Sequence, residues 1–127
     1  MITNKKIYLL SSIILVLLIN CTNKEISPER FKTGTFEIPA EKGYSVTHIL
    51  RIDSLQIERY EKRIDTLIIH WETPFKYNLK MLHPKTELDK DLIHVKITDI
   101  KEASYDFEAT IGQSNYKQKG TLLKINN

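Results

Sequence analysis

From Phe31 onward, apolar residues recur at every second position in short runs separated by turn residues. A period of two places alternate side chains on opposite faces of an extended strand, so the pattern calls for half-buried β-strands. No stretch offers a long face with helical period. Thr33 to Pro39 reads as a first strand, closed by the turn Ala40-Glu41-Lys42-Gly43. Tyr44 to Ile52 places Tyr44, Val46, His48, Leu50 and Ile52 on one face, and Asp53-Ser54 reads as a tight turn. Leu55 to Tyr60 alternates again through Leu55 and Ile57. After Glu61-Lys62-Arg63, the run Asp65 to Glu72 aligns Leu67, Ile69 and Trp71. Thr73-Pro74 ends it, because proline donates no ladder hydrogen bond. Phe75, Tyr77, Leu79 and Met81 form the next face, then Ile93, Val95 and Ile97, then Tyr105, Phe107, Ala109 and Ile111. His83 to Asp91 reads as a loop, with room for a helical turn in Leu88 to Ile93. Gly112 to Asn115 reads as a turn, and Lys117 to Ile125 as a last strand.

About eight short strands with short connections predict an all-β antiparallel meander. Such a meander curls into a small lipocalin-like barrel, with a half-open sandwich as the alternative. The chain has 127 residues, 41% of them hydrophobic, which sets the limit at one domain and excludes a large multi-domain enzyme.

The first twenty residues have the layout of a secretory signal. Lys5 and Lys6 form a positive region, and Ile7 to Ile19 form an apolar run broken by Ser11 and Ser12. Thirteen residues are short for a membrane-spanning helix, which needs roughly 20. Leu18-Ile19-Asn20-Cys21 resembles a lipobox, although Asn20 stands where Gly, Ala or Ser is usual. That resemblance implies cleavage before Cys21, a diacylglycerol thioether on its sulfur and acylation of the new amino group with a palmitate-type chain. Cys21 is the only cysteine, so no intramolecular disulfide forms. The expected organisation is a lipoprotein signal peptide over 1–20, a lipidated tether over 21–30 and a single β domain over 31–127. Lys24-Glu25 resembles the charged signals that send some Bacteroidota lipoproteins to the cell surface. The expected location is the cell envelope, anchored to the outer membrane by lipid.

Charge supports no nucleic-acid partner. The chain carries 19 basic against 16 acidic residues, and removal of the signal leaves 17 against 16. The signs interleave, as in Glu58, Arg59, Glu61, Lys62, Arg63 and Asp65, instead of clustering on one face. His48, His70, His83 and His94 lack metal-ligand spacing, and alternation turns His70 and His94 outward. Ser45, Ser54, Ser104 and Ser114 lack a nucleophile elbow. Asp53, Asp65, Glu72 and Glu108 are the carboxylates that could pair across strands as acid and base, a pattern a mixed-charge β surface also produces by chance. The four glycines do not cluster into a phosphate-cradling loop. Phe36, Tyr44, Trp71, Phe75, Tyr77, Tyr105 and Phe107 mostly fall on the apolar face, where they fill a core or line an apolar cavity. The small size favours the filled core. The expected role is therefore a non-enzymatic binding or accessory module without cofactor, for a small apolar ligand or an envelope protein. A small envelope hydrolase is one alternative, and a structural or inhibitory lipoprotein with a filled core is the other. Cys21 alone receives a site role.

Arg30 to Glu37 (RFKTGTFE), Arg51 to Glu58 (RIDSLQIE), Leu82 to Lys85 (LHPK) and Lys117 to Thr121 (KQKGT) resemble a family of small flavobacterial lipoproteins of uncharacterised function. Members often carry one cysteine before the FKTGTF segment and another after the tryptophan. This chain has Ser27-Pro28-Glu29 and Glu72-Thr73-Pro74 there, so it does without any bridge those cysteines form. The family often bears the label DNA topoisomerase IV. A type II topoisomerase needs an ATP site, a metal-binding acidic cluster and a tyrosine nucleophile, for which an exported domain of this size has no room. The resemblance implies a lipoprotein and a small β domain, without an activity.

Overall fold

The computed structural model describes residues 26–126. Its eight strands are β1 (Gly34–Ile38), β2 (Thr47–Ile52), β3 (Leu55–Tyr60), β4 (Arg63–Thr73), β5 (Lys76–Met81), β6 (Ile93–Ile100), β7 (Ser104–Ile111) and β8 (Gln118–Asn126). They follow one another in chain order around a closed antiparallel barrel, with β8 pairing back to β1 through Phe36↔Lys124 and Glu37↔Leu123. The predicted eight-stranded meander barrel is the observed fold, and full closure rules out the half-open sandwich. The tight turns form where the sequence placed polar residues. Asp53 and Glu61 open two-residue connections with left-handed φ values of 52° and 51°, the local geometry that matches the twist of paired strands.

Strand direction alternates around a meander, so the connections sort to two ends. Residues 53–54, 74–75 and 101–103 lie at one end, where the chain also enters β1. Residues 39–46, 61–62, 82–92 and 112–117 lie at the other.

A 3₁₀ turn, Pro28–Phe31, plugs the first end. Ser27 caps it by accepting from the Glu29 amide, and proline in its first turn supplies the required φ. Phe31 is fully buried, edge-on to Tyr105 at 5.1 Å between ring centroids. The Arg30 guanidinium donates to the Lys101 carbonyl, and Lys124 Nζ donates to the Arg30 carbonyl. Pro28, Glu29 and Arg30, expected in the tether, thus belong to the folded barrel. Their polarity hid a turn too short to show any period. The expected signal peptide over 1–20, Cys21 and Lys24-Glu25 lie outside the described residues.

The interior of β4 to β7 matches the alternation: Leu67, Ile69, Tyr77, Leu79, Val95, Ile97 and Tyr105 are buried. Phe36 and Leu122 complete the core from β1 and β8. The hairpin β2–β3 is inverted. Ile49, Arg51 and Gln56 point inward, while His48, Leu50, Ile52 and Leu55 are exposed. Tyr44 and Phe75, expected on the apolar face, are also exposed, Tyr44 at 65%. The two-residue turn pairs Arg51 with Gln56 and Ile52 with Leu55, so each face is internally consistent. Alternation alone cannot tell which of those faces looks inward. No helix of the described residues is long and apolar enough to cross a membrane, a statement that does not bear on strands.

Candidate functional site

Arg51, from β2, is the largest fully buried side chain and the hub of the plugged end. Its Nε donates to Gln56 Oε1 at 2.7 Å, and one terminal nitrogen donates to the Phe31 carbonyl at 2.8 Å. The other terminal nitrogen donates to the Tyr77 and Tyr105 hydroxyls at 2.9 and 3.0 Å, and those hydroxyls bond each other at 2.7 Å. The guanidinium also lies 4.9 Å from the Tyr77 ring centroid and 5.0 Å from that of Phe36. An isolated buried charge carries a desolvation penalty of about several kcal/mol. Here the charge is spread over four acceptors and the electron-rich faces of neighbouring rings. Burial pulls the Arg51 pKa down, but the adjacent Tyr77 and Tyr105 oxygens outweigh it and hold the group above its ordinary value. Burial, with Tyr77 alongside, pushes the Tyr105 hydroxyl well above the usual tyrosine range.

Gln56 carries the network toward the opposite end, its Nε2 donating to Glu58 Oε1 at 2.6 Å. Glu58 is half-buried, one step further along β3, and its cross-strand partner is Asp65. Burial pushes the Glu58 carboxyl up, the Gln56 hydrogen bond and the Arg51 charge pull it down, and the balance stays above the ordinary value.

The barrel is hollow on this side. A cavity of about 580 Å³ is bordered by Thr47, Glu58, Tyr60, Phe107 and Gly120, among others. A second lobe of about 280 Å³ lies against Leu88, Ile93, Ala109 and Ile111, and Tyr116 and Gln118 border both. Gly120 faces Phe107 so closely that a Cβ there would sit 2.7 Å from the ring. The larger lobe falls within the range of about 300–1,000 Å³ typical of small-molecule sites. The predicted filled core therefore holds at the plugged end and fails at the open one.

The four carboxylates singled out from the sequence do not converge. Asp53 sits in the β2–β3 turn. Asp65 lies at the open end, 2.5 Å from Arg63 Nε and 3.4 Å from Lys85 Nζ. Glu72 and Glu108 belong to the outer wall. There Asn78 Nδ2 donates to Glu72 Oε1 at 2.6 Å, and Asn78 Oδ1 lies 2.8 Å from His94 Nδ1. This chain borders a shallow outer groove of about 330 Å³ with Lys76, Lys96, Glu108 and Thr110. His48 Nδ1 is 3.2 Å from Glu37 Oε1 on the outside of β1–β2, and His70 and His83 are exposed elsewhere. Among the described residues no three His, Cys, Asp or Glu side chains are grouped to hold a metal ion. Cys21 lies outside the described residues.

Arg51, Gln56 and Glu58 form the site that sequence reasoning missed. The available signal was the hairpin itself: a two-residue turn fixes Arg51 and Gln56 on one face, with four aliphatic residues, Leu50, Ile52, Leu55 and Ile57, on the other. No family model matches the chain, nor does any curated protein or solved structure.

Proposed function

We propose that this protein is a lipid-anchored binding module of the cell envelope that takes a small ligand into the hollow end of its barrel. The observation that carries this reading is the pairing of the cavity of about 580 Å³ with a carboxylate, Glu58, on its wall. The lining mixes Ile38, Tyr60, Phe107 and Tyr116 with polar groups such as Thr47, Glu58 and Gln118, which can fix the orientation of a bound molecule. The anchor rests on the lipobox-like Leu18-Ile19-Asn20-Cys21.

Native mass spectrometry on residues 22–127 purified gently from envelope extract tests the binding role. A reproducible mass excess, lost on denaturation, is expected. A clean apo mass sinks the small-ligand reading and redirects the search to protein partners of a structural or inhibitory lipoprotein. The anchor is tested separately: Cys21→Ala abolishes incorporation of labelled fatty acid, and continued labelling overturns it.

A hydrolase is the second reading, favoured by the Glu72–Asn78–His94 chain, which orients an imidazole with Nε2 left for proton transfer. It predicts ester or amide turnover that disappears in His94→Ala.

A further inference from the structure

We propose that the hollow end selects a small amphiphile bearing a protonated amine, with the ammonium on Glu58 and the apolar body along Phe107 toward the second lobe. This deepens the small-ligand reading and rests on it.

The hydrogen bonding of Glu58 is one-sided. Glu58 Oε1 accepts from Gln56, but among the described residues Oε2 accepts from no donor, and Glu58 borders the cavity. A half-buried carboxylate calls for further donors or a cation. Among the described residues no ion pair joins a cation to Glu58, and four cations have other partners. Arg51 has its donors on Gln56, the Phe31 carbonyl and the two tyrosine hydroxyls, so Gln56 stands between its charge and Glu58. Arg63 is held by Asp65 and Asp89 at 2.5 and 3.1 Å. Lys117 and Lys119, at the rim, lie 3.7 and 3.9 Å from Glu108, a residue of the outer wall. Glu58 Oε2 is accessible at the cavity wall, so a donor from outside the chain can reach it.

The surroundings discriminate among ligand charges. An anion would meet the like charge of Glu58 in a partly desolvated space, and Lys117 and Lys119 at the rim already share Glu108. A neutral alcohol would offer one donor without relieving the unbalanced charge. An ammonium offers three donors and a positive charge, and the rings of Tyr60 and Phe107, which border the cavity from opposite sides of the barrel, can attract a cation. Burial holds the Glu58 carboxyl above its ordinary value against the pull of Gln56 and Arg51, and a bound cation would bring it down. Ile93, Ala109 and Ile111, past Tyr116 and Gln118, provide the apolar surface for the ligand's body.

The test uses three probes of one shape: 2-phenylethylamine, 2-phenylethanol and phenylacetate. Each is titrated calorimetrically into residues 22–127, whose barrel closes by contacts within the described residues. The amine is expected to bind about tenfold or more tighter than the alcohol, the scale of one charge-assisted hydrogen bond, with phenylacetate weakest. Glu58→Gln keeps the shape and the acceptor for Gln56, and it should bring the amine down to the level of the alcohol. Glu58→Asp keeps the charge but withdraws it, and should lose part of the preference. If the alcohol binds and the amine gains nothing over it, or keeps its advantage in a folded Glu58→Gln protein, the amine assignment is overturned while the small-ligand reading stands. If none of the three binds, both fall.

Discussion

At the plugged end Arg51 reaches four oxygens and lies against aromatic faces, whereas at the open end Glu58 holds one hydrogen bond and borders a cavity. The same barrel houses both groups, only a few residues apart on one hairpin. A buried polar network stabilises when every member is satisfied and is a liability when one is not. The plugged end spends its polar groups on the fold, and the open end leaves one available. Removing a satisfied member should therefore cost far more than altering the open end, and four changes probe that contrast.

Arg51→Met has the largest expected effect. It strips the donor from Gln56 Oε1, the Phe31 carbonyl and two phenols at once, and should lower stability by about 3–5 kcal/mol in urea unfolding. A loss below about 1 kcal/mol would mean the network is dispensable. Tyr105→Phe removes one oxygen from the same hub and should cost about 1–2 kcal/mol, with Tyr77 left to share the guanidinium.

Gly120→Ala forces a methyl group toward the Phe107 ring. Overpacking in a filled core costs about 1–3 kcal/mol. Here the ring can swing into the adjacent cavity, so the expected loss is below about 1 kcal/mol. Probe binding should weaken as the cavity shrinks. A melting-temperature drop as large as that of Tyr105→Phe would show that the open end is packed after all.

Glu58→Gln should have the smallest effect, and a favourable one. The native carboxyl titrates above its unfolded value, so its contribution to stability is fully present below the unfolded pKa and is lost as pH rises through the native one. Above that window the ionised wild-type side chain is at a disadvantage that glutamine removes. The variant should melt higher than wild type at neutral pH, and the two should coincide in acid. A lower melting temperature at neutral pH would instead identify Glu58 as the counter-charge that Arg51 requires.

The sequence disclosed the wall far better than the site. In β4 to β7 the inward residues are apolar and the outward ones polar, so periodicity, face and fold class were legible together. In β2–β3 the periodicity was equally clear, yet the faces were exchanged: Arg51, Gln56 and Glu58 look inward while Leu50, Ile52 and Leu55 face outward. Hydrophobicity assigns a face only when burial is the sole demand on a strand. Here the interior had to hold a charge, and its partners, the Phe31 carbonyl, Tyr77 and Tyr105, come from chain positions 20 to 54 residues away. Glu58 read as one more sign in an alternating surface, because nothing local marks a carboxylate whose neighbours arrive by barrel closure.

That closure also has a bearing on timing. The seam joins the first strand to the last, and Lys124 reaches back to the carbonyls of Arg30 and Thr33. Synthesis runs from the N-terminus, so every hairpin can form before the seam, but the ring cannot shut until the final strand has been made. Until then β1 and β7 each present an unpaired edge, open to other chains. The closing step brings together the most distant parts of the sequence, which makes it the slow one by contact-order reasoning. A chain cut short before Gln118 would keep most of its strands and still have no inside, since both the plug and the cavity exist only once the ring has shut.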